Sequence, residues 1–226
     1  MNEDRYRARR RALLAAFGGG AVLSTVLQRA LAQPSLARGV HSTQGEVRVN
    51  DKPAVRGTPV RPGDTVTTGK GALTLFVIGQ DAFLMRDNSR AEFSGGEAIA
   101  NTLRLVTGKL LGVFGQGGDR SIVTATATIG IRGTAAYLEA ETARTYFCLC
   151  YGTAVVAAAG SEQRTSYTTT HHESPRYIYG DGRPGAIVPA SVVNHTDAEI
   201  FMLEGLVDRR PPQSFMDGEY MNSPYR

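Results

Sequence analysis

Two cysteines, Cys148 and Cys150, lie in the segment TYFCLCY, and the histidines His171, His172 and His195 follow them. If that segment is a β-strand, residues i and i+2 stand about 6.6 Å apart on one face. This is the upper edge of what a disulfide tolerates, and parallel Cβ vectors place the sulfurs poorly for a bond. A metal asks less: a tetrahedral ion at about 2.3 Å from each sulfur needs sulfurs roughly 3.8 Å apart, which rotamer choice can supply. Histidines carried in on later loops would complete a soft site for Cu(I) or Zn(II). The competing reading makes the thiols small core hydrophobes. The histidines would then lie at the surface, with His195 stapled onto Ile200. The C-x-C spacing alone matches no strong zinc signature.

Other chemistry finds less support. A cysteine nucleophile with a histidine base would use the same residues. The sequence has no G-x-S-x-G, no phosphate-binding glycine loop and no Ser-His-Asp order. No enzyme is expected. A second group, Arg132-Gly133-Thr134, falls within Ile122–Glu139, where threonine alternates with small apolar residues before Gly130 and Gly133 interrupt. That alternation reads as strand, and the glycines read as a tight corner between two strands. The corner would aim Arg132 at carbonyls or a carboxylate, in a structural or ligand-binding role.

The elements that must position these residues are short. Turn signals such as Asn50-Asp51, Pro62-Gly63-Asp64, Gly79-Gln80-Asp81 and Asp87-Asn88 recur every eight to twelve residues from Gln44 to Ala158. No helical period lies between them, so an all-β, short-stranded antiparallel sandwich or roll is expected over 44–158. Residues 159–210 read as an extension containing a histidine loop and one C-terminal helix. Thr196-Asp197-Ala198-Glu199 is a capping box opening a helix over about Asp197–Asp208. Pro211-Pro212 ends it, leaving 211–226 as a tail.

The chain has 226 residues and a formal net charge of +4. Residues 1–32 hold six arginines against Glu3 and Asp4, so the remainder carries 19 basic and 19 acidic groups. A neutral body has no electrostatic footprint for a phosphate backbone, so no nucleic-acid partner is expected. The basicity belongs to an export leader. Arg10-Arg11-Ala12-Leu13-Leu14 resembles the twin-arginine motif, and Ala30-Leu31-Ala32 offers a cleavage site before Gln33. A Sec signal and an uncleaved anchor are the alternatives, although an apolar stretch broken by Gly18-Gly19-Gly20 is a poor membrane span. A periplasmic location follows, with no stable span once the leader is removed.

Several motifs resemble the FecR periplasmic domain. They are Gly45-x-Val47, Val60-x-Pro62-Gly63-Asp64-x-Val66-x-Thr68-Gly69, Leu105-x-x-Gly108-Lys109-Leu110, Val123-Thr124-Ala125, Ile131-Arg132-Gly133-Thr134 and Gly152-Thr153-Ala154-Val155. The resemblance covers about Gly45 to Ala158. It implies a β-rich periplasmic module, best known as the sensor half of a siderophore-signalling protein. Eleven residues precede the apolar stretch, too few for a sigma-binding domain, so anti-sigma activity is not expected. Two functions follow from this reading. One is an exported non-catalytic module that binds an envelope protein or polymer, in signalling. The other is a copper- or zinc-binding or redox protein built on Cys148 and Cys150.

Overall fold

The structure is a computed structural model and describes residues 38–96 and 100–217. The expected leader over 1–32 and the residues after 217 lie outside that range. Fourteen strands are found among the described residues. The first seven are β1 (Gly39–Gln44), β2 (Val47–Val49), β3 (Lys52–Pro53), β4 (Thr65–Thr68), β5 (Leu73–Ile78), β6 (Asp81–Met85) and β7 (Ser89–Gly95). Then come β8 (Ala100–Val113), β9 (Arg120–Val123), β10 (Ala127–Ala140) and β11 (Arg144–Ala158). After these follow β12 (Arg164–Thr169), β13 (Arg176–Tyr179) and β14 (Ile187–Pro189), and two helices, α1 (Asp197–Leu206) and α2 (Gln213–Met216). The fold is all-β with one substantial C-terminal helix. No helix among the described residues is long and apolar enough to cross a membrane.

All strands join one sheet, antiparallel except for the β8–β9 pair. The expected short strands are corrected at its centre, where β8 and β10 run 14 residues and β11 runs 15. The glycines bend these strands without ending them. At Gly133 (φ 55°), opposite Gly152 (φ 100°), the β10–β11 register slips and forms a bulge. A Cβ on Gly152 would lie 2.6 Å from Thr134 Cγ2, so the crossing needs glycine. Each strand changes neighbour there. β10 pairs with β9 before the bulge and with β8 after it, while β11 pairs with β13 before Gly152 and with β12 after it. The expected corner at Gly130–Thr134 is therefore a bulge within one strand. Likewise, β11 runs on through Gly152 to Ala158 as one strand.

Both faces of the central sheet are buried. Along β10 and β11, Ala136, Leu138, Phe147 and Leu149 enter the inner core, whereas Ala135, Tyr137, Tyr146, Cys148 and Cys150 face outward. On the outer side Leu75, Leu84, Leu111 and Val113 join them beneath Ile200, Met202 and Leu203 of α1 and Phe215 of α2. Residues expected to form a tail from 211 thus include a short helix with a fully buried phenylalanine. The extension after 158 continues the same sheet through β12–β14.

Polar ties fix the far end of β6. Asp81 accepts from Arg120 Nε at 2.9 Å and from the Gly115 N–H at 2.8 Å, and Arg120 Nη1 donates to the Gly115 carbonyl at 2.8 Å. Both side chains are buried. Burial pushes the Asp81 carboxyl up, with Gly115 and Arg120 pulling against it.

Candidate metal centre

Period-two alternation puts Cys148 and Cys150 on the outer face of β11, and both are fully buried free thiols. Cys148 stands opposite Tyr137 in the β10–β11 register. The His172 backbone N–H donates to the Cys150 carbonyl at 3.0 Å, seating the 170–175 loop against the strand. That loop closes on Glu173, whose carboxylate accepts from the Thr170 and His171 N–H groups, and His172 takes a left-handed φ of 56°. His195 arrives from the other side, one residue before Thr196. The capping box is formed as the sequence indicates, with Thr196 accepting from the Glu199 N–H and Glu199 reaching back to Thr196. The His195 ring stacks on Tyr137 at 4.6 Å.

Four of the five sequence candidates converge. One donor atom each from Cys148, Cys150, His172 and His195 lies within 4.8 Å of the others, and all four residues are buried. Cys148 Sγ is 3.4 Å from His172 Nδ1, which is 3.1 Å from His195 Nε2. These separations are close to the edge of a tetrahedron with bonds of about 2.0–2.3 Å. The fifth candidate, His171, is turned away: its Nε2 donates to Asp197 Oδ2 at 2.9 Å and its ring stacks on Phe215. The Arg132-Gly133-Thr134 group sits at the β10 bulge, away from the cluster. Arg132 is exposed there, in register with Thr153.

The surroundings fix the tautomers. His195 Nδ1 lies 2.7 Å from the Val193 carbonyl, which can only accept, so Nδ1 carries the proton and Nε2 presents a lone pair. His172 Nε2 lies 3.1 Å from Asp197 Oδ1. Burial would raise the Asp197 carboxyl, but hydrogen bonds from His171 and His172 bring it down to about 2, so it too accepts only. His172 Nε2 is therefore protonated, and Nδ1 turns its lone pair inward. Two imidazole lone pairs and two sulfurs then face one point, where a cation or shared protons can be held between them.

Without a metal, a proton takes that place. Burial works against charge on His172, yet Asp197 and Cys148 lift it to about 9. Burial also opposes a Cys148 thiolate, but hydrogen bonds with Cys150, His172 and His195 outweigh it and hold the thiol well below its ordinary value. Cys150 is pushed well above that value, first by burial and then by its neighbour's sulfur. A thiolate beside an imidazolium is a nucleophile in kind. Here it is sealed: Cys148 is 0 % exposed, and a surface cleft of about 280 Å³ lined by Arg38, Val60, Arg61 and Ile78 includes none of the cluster.

In the sequence Asp197 reads only as part of the capping box, and its hold on two histidines appears only in the fold. As the first residue of α1, it is aimed at them by the cap itself. If the cluster holds zinc, Asp197→Asn is expected to weaken its binding about 10–100-fold without loss of the helix, the effect of removing a carboxylate behind a histidine ligand. Chelator competition with zinc measures the affinity, and an unchanged value would strip Asp197 of the role.

No family model matches the sequence, and no curated protein matches it. Among solved structures, the chain is similar to a protein from Parabacteroides distasonis described as a candidate anti-sigma factor, in crystal structures at 1.65 and 2.50 Å resolution. In each case identity is 10%, the TM-score is 0.46, and the match covers 56% of this chain and 59% of the other. The match spans less than two thirds of that protein's length.

Proposed function

We propose that this chain is an exported, non-catalytic β-protein of the cell envelope that holds one soft metal ion, zinc(II) in preference to copper(I). Cys148, Cys150, His172 and His195 are its ligands. The observation that carries this reading is the convergence of two tautomer-fixed imidazole lone pairs on two buried sulfurs. All four donors come from the protein and none is left for substrate, which is the pattern of a structural rather than a catalytic site. Charge favours the dication. Zinc with two thiolates and two neutral imidazoles sums to zero, whereas copper(I) leaves a buried negative charge beside Asp197.

Elemental analysis of protein purified from the periplasm is expected to find one zinc per chain. The double variant Cys148→Ser, Cys150→Ser should contain none and keep its strands by circular dichroism. Wild-type protein that arrives empty and takes up neither zinc nor copper on reconstitution overturns the proposal. Binding of an envelope protein or polymer is the second reading, and it rests on the FecR-like motifs. One of them, Pro62-Gly63-Asp64, forms a side-chain-closed turn in which Asp64 accepts from the Arg61 N–H at 2.7 Å.

A further inference from the structure

The metal cluster is enclosed by three pieces of chain, and they are fastened unequally. Helix α1 is held by apolar burial, with Ile200, Met202 and Leu203 all 0 % exposed, and by an ion pair of 2.8 Å from Arg86 to Glu199. The 170–175 loop is held by the backbone bond from His172 to Cys150. Next to it, Thr169 Oγ1 donates to the Leu149 carbonyl at 2.9 Å. Residues 191–195, which follow the backbone bond from the Ala190 N–H to the Pro175 carbonyl at 3.0 Å and carry His195, differ. Among the described residues, no backbone-to-backbone hydrogen bond ties 191–195 to the sheet.

Side chains hold this strap instead. The Tyr146 hydroxyl donates to the Ser191 carbonyl at 2.9 Å and accepts from the Val193 N–H at 3.2 Å. Asn194 Nδ2 donates to Glu139 at 2.7 Å, and Arg86 donates to the Asn194 carbonyl at 2.7 Å. Asn194 has a φ of 58°, a conformation asparagine tolerates, and this turns the chain inward immediately before His195. Ser191 and Asn194 are exposed, whereas His195 is buried.

We infer that the strap over 191–195 is the gate through which the ion enters and leaves, and that the Tyr146 hydroxyl is its latch. This inference rests on the metal reading above and adds how the site opens. Swinging the strap outward removes one ligand, His195, and uncovers the other three. It parts the half-buried Val193 from the outer core and the His195 ring from Tyr137 but leaves the fully buried Ile200, Met202 and Leu203 in place, so it asks less than undocking α1. One phenolic oxygen meets both a carbonyl and an N–H of the strap, so a single atom controls two of its tethers. The Tyr146 ring stays packed between Tyr137 and Tyr177 whether or not the hydroxyl is present.

The test uses the full chain loaded with zinc and challenged with an excess of a chromogenic zinc chelator, so that release is limited by opening. Tyr146→Phe is expected to release zinc about 10- to 100-fold faster, the effect of losing two hydrogen bonds, with one zinc per chain still bound at the start. Asn194→Gly keeps the left-handed turn but loses the Glu139 tether, and should move the rate in the same direction. Release at the wild-type rate from both loaded variants overturns the gate while leaving the metal site standing. Wild-type protein that binds no zinc overturns the metal reading and the gate with it.

Discussion

Saturating zinc is expected to raise the melting temperature of the wild-type protein by about 10 °C, and to leave that of Cys148→Ser unchanged. The size follows from linkage. A ligand that binds only the folded state at a thousand times its dissociation constant adds about 4 kcal/mol. For a chain of this length each kcal/mol moves the midpoint by about 2–4 °C. The comparison must be made within each variant, with and without metal, because serine at a fully buried position also lowers the metal-free midpoint. A wild-type midpoint indifferent to zinc, or an equal rise in Cys148→Ser, would count against the four-ligand site. Calorimetry at fixed free zinc supplies both readings.

Arg120→Met is expected to destabilise the fold by about 3–5 kcal/mol, the range seen when one member of a buried ion pair is removed. Asp81 and Arg120 have side chains 2 % and 4 % exposed, and the arginine also caps the Gly115 carbonyl. Without Arg120 the carboxyl keeps one hydrogen bond, from the Gly115 N–H, and the more distant pull of Arg209, and burial pushes it further toward its neutral form. The midpoint should fall by roughly 10 °C or more. Any increment from zinc should survive, because the hydrogen bonds described for the pair and for the Cys148–His195 cluster have no partner in common, and distant effects add. A drop of less than 1 kcal/mol in denaturant titration would show that Asp81 is not buried as described.

Much of the site was legible because period two is a strong signal. The alternation that places Cys148 and Cys150 on one face is read directly from a strand. The capping box at Thr196–Glu199 marked the start of α1 and so the place of His195. The long strands were harder to read. Gly133 and Gly152 look like chain breaks, yet a glycine that permits a bulge keeps the strand running while its neighbour changes. The run TYFCLCY held a further clue, since an unbroken apolar stretch in a strand signals burial on both sides. Something had to cover the outer face, and the extension does. Asp197 could not be found this way. Its role depends on a helix end meeting a loop 26 residues earlier in the chain, at His171, and no local pattern encodes that meeting.

The doubly buried sheet bears on how the chain is made. Synthesis runs from the amino end, so β1–β11 are complete before α1 exists. During that interval Leu75, Leu84, Leu111, Tyr137 and Tyr146 form a bare oily wall. A chain cut after residue 158 would keep that wall permanently and stick to its copies. Residues 159–217 act as a built-in chaperone for the first part, arriving late and staying. If the chain is exported folded, as proposed, its passage waits for them.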